Sequence, residues 1–243
     1  MLRDTGGNVE FYLDFNRKHK KMGKRFWAGM DVGFTNHPSE ILIFAESPAK
    51  KGEDPHLTLL TRIHMERLSH PAQVDAIVHC IKEYGLSAFA MDKTGLGLPL
   101  FSDLQTRYPE YAKIIKGYNF SEKILTGFDS TIEVDEDFGD PIAETAMMKN
   151  VLQYSSDVLR DFVDNERITL PWDSELIGEF QGQTYTIIKD NMNIYGKKTF
   201  SGGSFHALDA ARMAVLGYVQ HITDQIAANM KEPDEPVLDI FLY

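Results

Sequence analysis

Phe26-Trp27-Ala28-Gly29-Met30-Asp31-Val32-Gly33-Phe34-Thr35 is an apolar run that ends on a carboxylate and then turns through a glycine. It reads as a buried strand whose last residue, Asp31, must be compensated by hydrogen bonds or a metal ion, because an isolated charge is costly to bury. The same shape returns in Leu86-Ser87-Ala88-Phe89-Ala90-Met91-Asp92, followed by Lys93-Thr94-Gly95. A third aspartate, Asp209, stands in the helical stretch Ser204-Phe205-His206-Ala207-Leu208-Asp209-Ala210-Ala211-Arg212-Met213-Ala214-Val215. Two strand ends and one helix are thus expected to bring three carboxylates together around divalent cations.

Outward from the first strand, Asn36-His37-Pro38-Ser39 carries turn chemistry, and Pro38 cannot continue a ladder. Residues 41–45 then form a second strand, antiparallel to the first. Residues 47–56 are a loop, and residues 57–65 a third strand with partial alternation. Pro71 opens a helix in which Val74, Ile77, Val78, Ile81 and Tyr84 recur at helical spacing, and Gly85 closes it. A fourth strand over residues 87–91 follows at once, and this strand–helix–strand passage predicts a right-handed crossover with parallel pairing. A helix carrying Leu100, Phe101, Leu104 and Tyr108 leads to a short fifth strand over residues 113–118.

The second half is less regular. Residues 121–140 show no strong period and read as an acidic loop with room for a small extra element, while Pro141 opens the longest helical pattern, running to about Asp164. Residues 168–171 are briefly extended and residues 175–180 helical. Residues 184–189 and 192–195, separated by Asp190-Asn191, form a β-hairpin, and residues 197–203 a flexible basic loop. The final helix runs from about Phe205 to Ala228. The whole order predicts an α/β fold: a mixed five-stranded sheet, antiparallel in front and parallel behind, flanked by helices, with a β-hairpin inserted near the C-terminus. Residues 1–25 read as a linker or extension, residues 26–228 as one domain, and residues 229–243 as an acidic tail too polar and proline-broken to fold alone.

With 43% hydrophobic and 25% charged residues, the composition is that of a globular protein. No apolar run approaches the roughly 20 residues that span a bilayer, so no membrane partner is expected. The single Cys80 excludes an intramolecular disulfide and a thiolate-rich zinc site, and its apolar helical setting marks it as inert core. A net charge of -11 argues against a generic nucleic-acid binder. Positive charge is nonetheless dense in Arg17-Lys18-His19-Lys20-Lys21-Met22-Gly23-Lys24-Arg25, and acid in Glu133-Val134-Asp135-Glu136-Asp137. Such asymmetry fits a protein whose affinity for DNA is supplied in part by partners.

Phosphodiester hydrolysis needs an activated water and charge neutralisation on the leaving oxygen, and two metal ions about 3.5–4 Å apart can do both. Mg²⁺ and Mn²⁺ take hard oxygen ligands, which carboxylates supply. Asp31 and Asp92 become neighbours if their strands pair centrally, and Asp209 reaches in from the last helix. His206 shares the helix face of Asp209 and either completes a coordination sphere or positions the attacking water. Arg212, one turn beyond Asp209, is expected to be its structural ion-pair partner. Lys93 either touches phosphate or is solvated, and Lys197 and Lys198 are further candidates for DNA contact. A lone strand-end aspartate is ordinarily a turn residue or cap; the topology that lets the three meet is what favours ligation.

Gly29-Met30-Asp31-Val32-Gly33, Ala90-Met91-Asp92-Lys93-Thr94-Gly95 and His206-Ala207-Leu208-Asp209-Ala210-Ala211-Arg212 resemble motifs of the C-terminal nuclease domain of the large terminase subunit of tailed bacteriophages. The resemblance spans roughly residues 26–222, and the last motif is its most specific part. It implies a ribonuclease H-like fold, with Asp31, Asp92 and Asp209 as metal-binding carboxylates and His206 beside them. It also implies a Mg²⁺- or Mn²⁺-dependent endonuclease, holding two ions, that cuts double-stranded DNA concatemers in the cytoplasm of an infected bacterial host. Full terminase subunits carry a packaging ATPase, yet no G-x-x-x-x-G-K-[ST] loop occurs here. The resemblance therefore implies a packaging ATPase domain, a small terminase subunit and a portal as partners, with residues 1–25 as the tether.

Three other readings stay open at this level. Asp31-Val32-Gly33-Phe34-Thr35 has the D-x-G-x-T shape of actin-like phosphotransferases, although no second such strand–turn occurs. A Holliday-junction resolvase or transposase-like nuclease would share the carboxylates and prefer branched DNA. A non-catalytic DNA-packaging docking domain would keep the pocket without cutting.

Overall fold

The computed structural model describes residues 8–11, 25–33, 37–47, 55–129, 145–190, 193–201 and 205–230. At its centre strands β1 (Asn8–Phe11), β2 (Phe26–Asp31), β3 (Ser39–Ser47), β4 (His56–Glu66), β5 (Ala88–Asp92) and β6 (Ile115–Tyr118) pair in the order β1-β4-β3-β2-β5-β6. The β2–β3 and β3–β4 pairs are antiparallel. The β2–β5 and β5–β6 pairs are parallel. All five expected strands, β2 to β6, are thus present with the expected sense. β1, in a stretch to which the sequence assigned no element, adds antiparallel to the far edge of β4.

Helix α1 (His70–Tyr84) starts with Pro71 in its first turn and ends at Gly85, whose φ of 60 satisfies the left-handed closing position. Helix α2 (Gly97–Arg107) joins β5 to β6. Beyond them lie β7 (Lys123–Asp129), β8 (Thr145–Asn150), α3 (Val151–Asp164), β9 (Ile168–Thr169), α4 (Ser174–Gly182), β10 (Thr184–Asp190), β11 (Asn193–Ser201) and α5 (His206–Met230). β9 pairs parallel with the start of β4, on the same edge as β1.

Three expectations need correction. Residues 123–129, read as loop with room for a small extra element, form a full strand paired antiparallel with β8 in a separate ribbon. The helix expected from Pro141 begins only at Val151, because Thr145–Asn150 are drawn into that pairing despite the helix-favouring Ala146, Met147, Met148 and Lys149. Asn150 marks the true start, its side chain accepting the Gln153 N–H at 3.3 Å. Lys197 and Lys198 lie in β11, opposite Ile188 and Ile187, not in a flexible loop. The hairpin continues to Ser201 because cross-strand pairing extends the ladder past the apolar residues that announced it. The basic run at 17–24, the acidic residues 133–137, Pro141, Gly202-Gly203 and the tail from 231 lie outside the described residues.

The sheet is covered on both faces, which is why β3 reads as a continuous apolar run and is buried at every position but its last. Against α1 and α2 it presents Met30, Ile41, Ile43, Phe89 and Met91, which pack on Ile77, Ile81, Leu100 and Leu104. Cys80 belongs to this layer, and burial pushes its thiol up to about 12, leaving it inert as expected. Against α3, α4 and α5 the sheet presents Trp27, Leu42, Phe44 and Leu59. Trp27 stands edge-on to Tyr218 of α5 at 5.0 Å and donates its indole N–H to Glu46 at 2.9 Å.

Helix α5 packs on β2 and β5 at backbone range. A Cβ on Gly29 would lie 2.0 Å from the Ala210 carbonyl oxygen and 2.2 Å from the Ala214 nitrogen. One on Gly217 would lie 2.9 Å from the Ala90 Cβ. Neither obstacle at Gly29 is a side chain that could swing aside. Gly29→Ala is therefore expected to destabilise the protein by about 3 kcal/mol in urea unfolding. A change within experimental error would show that α5 can lift away without loss.

Candidate functional site

The register Met30↔Met91 in the parallel β2–β5 pair brings the next residues, Asp31 and Asp92, to the ends of adjacent strands. Side chains alternate along a strand, so both share the face of Gly29 and Ala90, which is the face α5 covers. Asp209 lies in the first turn of α5, directly before Ala210, whose carbonyl abuts Gly29. His206 lies four residues before Ala210 in the same helix, and its Nδ1 lies 2.6 Å from Asp31 Oδ2. The four residues singled out in the sequence thus converge on one end of the sheet.

Each carboxylate has its own partner. Asp31 has His206. Asp92 Oδ1 accepts from the Thr94 N–H at 2.9 Å and from the Thr94 hydroxyl at 2.6 Å. Asp209 pairs with Arg212, as the sequence predicts. Among the described residues no three His, Cys, Asp or Glu side chains are already gathered as a metal cage. Lys93 pairs with Glu122 at 3.2 Å at the rim. The side chains of Lys197 and Lys198 are outside the described set.

Acidity in the site follows from burial and mutual repulsion. Desolvation raises Asp92, the Thr94 hydrogen bonds oppose it, and the charge of Asp31 adds to it. Asp209 is pushed up to about 6 by burial, with Arg212 pulling it down and Asp31 and Asp92 pushing it further up. His206 is raised above the ordinary imidazole value, first by its hydrogen bond to Asp31. Two aspartates that feel the same third one, and a histidine held to that one, make a site of concentrated negative charge.

The local chain holds Asp31 in place. Just past it, the Gly33 N–H donates to Ser39 Oγ at 2.9 Å, and Gln73 of α1 donates to the Gly33 carbonyl at 3.3 Å. A Cβ on Gly33 would meet the Pro38 carbonyl oxygen at 2.1 Å, so the turn closes only around glycine. On the other strand, a Cβ on Gly97 would lie 2.0 Å from the Asp92 carbonyl oxygen, which lets α2 start against the strand end.

Several neighbours were missed in the sequence. His37, read only as a turn residue, has its ring 5.4 Å from that of His206. Glu40 faces Asp31 across the β2–β3 ladder and His64 across the β3–β4 ladder. Arg62, 1% exposed, donates to both Glu40 oxygens at 3.2 and 2.8 Å and reaches Glu175 at 3.2 Å. Burial opposes its charge, but Glu40, Glu175 and Glu179 outweigh this and keep the guanidinium ionised. A charged residue inside an otherwise apolar strand was the available signal for Glu40 and Arg62. Glu179, on a half-exposed helix, offered none. A cavity of about 310 Å³ between α3, α4 and α5 adjoins the site through Leu208 and Arg212.

This sheet order, with its last helix laid over the central strands, is similar to the fold of solved phage large terminase nucleases. The particular neighbours are crystal structures of the large terminase nuclease from the thermophilic phage G20c. One with bound magnesium and one with bound cobalt each give a TM-score of 0.56 at 11% identity, covering 86% of this chain and 86% of theirs. A third gives 0.51 at 14% identity, covering 87% and 88%. No protein-family model and no curated protein matches the sequence, so the likeness is one of fold.

The raised pKa of Asp92 has a stability consequence whose sign is fixed. Its folded value lies above the unfolded one, so ionisation costs the folded state stability as pH rises through that window, and costs nothing below it. In metal-free buffer Asp92→Asn is expected to melt a few degrees higher than the parent at about pH 7.5 and to match it near about pH 3. An equal gain at both pH values would trace the effect to packing rather than charge.

Proposed function

We propose that the chain is a divalent-metal-dependent endonuclease that cuts double-stranded DNA concatemers during phage genome packaging. The observation that carries this reading is the 2.6 Å hydrogen bond between His206 Nδ1 and Asp31, with Asp31 and Asp92 at the ends of adjacent strands and Asp209 in the first turn of the helix laid over them. The donor set fits the proposed cofactor. Carboxylate oxygens are the hard ligands that Mg²⁺ and Mn²⁺ take. Burial raises Asp209 first and repulsion from Asp31 and Asp92 adds to it; a dication at the carboxylates would offset both. The magnesium and cobalt bound in the two G20c nuclease structures support a divalent cation as the cofactor.

In this mechanism Asp31, Asp92 and Asp209 would hold two ions, whose chemistry there would be activation of the attacking water and charge neutralisation on the leaving oxygen. His206, held through Nδ1 to Asp31, would stand beside that water to orient it. Arg212 keeps Asp209 in place and Thr94 keeps Asp92 turned toward the site. The domain proper is residues 26–228, and a packaging ATPase domain, a small terminase subunit and a portal in the infected host's cytoplasm complete the assembly. No helix among the described residues is long and apolar enough to cross a membrane.

Supercoiled plasmid incubated with Mn²⁺ or Mg²⁺ should be nicked and linearised, and EDTA should stop the reaction. Asp31→Ala or Asp92→Ala should slow it by roughly a thousandfold or more with the circular dichroism spectrum unchanged. A variant that still cuts at the parent rate would remove its residue from the site. The β10–β11 hairpin leads into the helix that carries His206 and Asp209. Replacing residues 184–203 by a short glycine-serine link should alter DNA binding or cleavage, and unaltered values of both would end its assignment to DNA access.

A further inference from the structure

A closed ring of interactions surrounds the site, and its least expected member is Glu179. Helix α5 opens at His206, and the residue before it, Phe205, has no side-chain oxygen with which to cap the helix. The cap comes from another helix. Glu179 of α4 uses one carboxylate oxygen to accept both the Ala207 N–H at 2.8 Å and the Leu208 N–H at 3.1 Å. These amides lie between His206 and Asp209. A carboxylate there also suits the positive end of the helix dipole.

Glu179 is itself anchored from the sheet. Arg62 of β4 stands 3.8 Å from Glu179, 3.2 Å from Glu175 and 3.8 Å from Asp173, so one buried guanidinium holds α4 at three points. On its other side Arg62 makes a two-pronged contact with Glu40, the cross-strand neighbour of Asp31. The ring therefore runs from Asp31 across the ladder to Glu40, through Arg62 to Glu179, into the first turn of α5, and back through His206 to Asp31. Both Glu179 and Glu40 are close enough to His206 to add to the field that Asp31 exerts on it.

We propose that Glu179 is a positioning residue: it sets the start of α5, and through it the placement of His206 and Asp209 against Asp31 and Asp92, by accepting two backbone N–H groups rather than by binding metal or substrate. The inference rests on the nuclease reading only for its kinetic consequence. The geometric part concerns this chain's own backbone and stands apart from activity.

Glu179→Gln keeps an acceptor oxygen at the same place and loses the charge, whereas Glu179→Ala loses both. Hydrogen exchange at the Ala207 and Leu208 amides, read in the apo protein, should speed up by roughly tenfold in Glu179→Ala and stay near the parent rate in Glu179→Gln. Plasmid cleavage with Mn²⁺ should follow, with kcat down by roughly tenfold or more in Glu179→Ala, KM for DNA little changed, and recovery in Glu179→Gln. Unchanged exchange in Glu179→Ala overturns the proposal, whatever happens to activity. A Glu179→Gln variant as defective as Glu179→Ala also overturns it, because the carboxylate would then act by its charge as a ligand. Should the parent protein cut nothing while exchange behaves as stated, the nuclease reading fails and the positioning role stands.

Discussion

The approach of α5 to β2 across Gly29 is the constraint on which the rest depends. A side chain of any size at that position would strike the carbonyl of Ala210 and the nitrogen of Ala214, so the helix axis could not come this near the sheet. The helix face that makes the contact is built of Ala207, Ala210, Ala211, Ala214 and Gly217, which contribute little volume and little rotamer entropy to lose. Tight backbone packing of this kind fixes the helix in both translation and rotation. Because Asp209 precedes Ala210 and Asp31 follows Gly29 by two residues, fixing that one contact also fixes the distance between elements that carry the site.

The same contact forces like charges together, and the surrounding groups show how the fold accommodates this. An imidazole lies against Asp31, a guanidinium against Asp209, and two hydrogen-bond donors of Thr94 against Asp92. Each supplies locally some of the positive potential that the cluster lacks. They do not remove the strain, since Asp209 remains raised to about 6 with Arg212 beside it. A divalent cation and a protonated His206 would compete for the charge of Asp31, so cation binding and deprotonation of His206 are linked by mass action. A site held slightly unfavourable without its ligand is what a ligand-dependent centre requires, and the cost is borne by the apolar layers on either side of the sheet.

Much of the fold was legible because burial on both faces writes itself into the sequence as apolar runs. Phe26 to Asp31 and Ala88 to Asp92 each end on a carboxylate where the strand leaves the core, and the order of strands and helices then dictates that they pair in parallel. Asp209, His206 and Arg212 were legible because helical spacing places them on one face of one element. What failed to show was structure made by partners distant in sequence. Met147 and Met148 favour helix by propensity and sit in a strand because β7 lies alongside. Lys197 and Lys198 extend a ladder that only their cross-strand neighbours could announce. Glu179 looks like any acid on a helix surface, and its two amide partners are supplied by the start of α5.

Net charge of -11 becomes intelligible once the cations are followed to their partners. Arg25 is tied to Glu46, Lys93 to Glu122, Arg107 to Asp103, Lys116 to Asp224 and Arg167 to Asp161, while Arg62 and Arg212 are committed inside the protein. Basic side chains already engaged with carboxylates have less field to offer a phosphate backbone, and electrostatic neutralisation of phosphates dominates DNA affinity. On the proposed function, the described surface is thus built to react with DNA more than to hold it. On the same proposed function, weak intrinsic binding would leave cutting dependent on a partner that brings the duplex to the carboxylates.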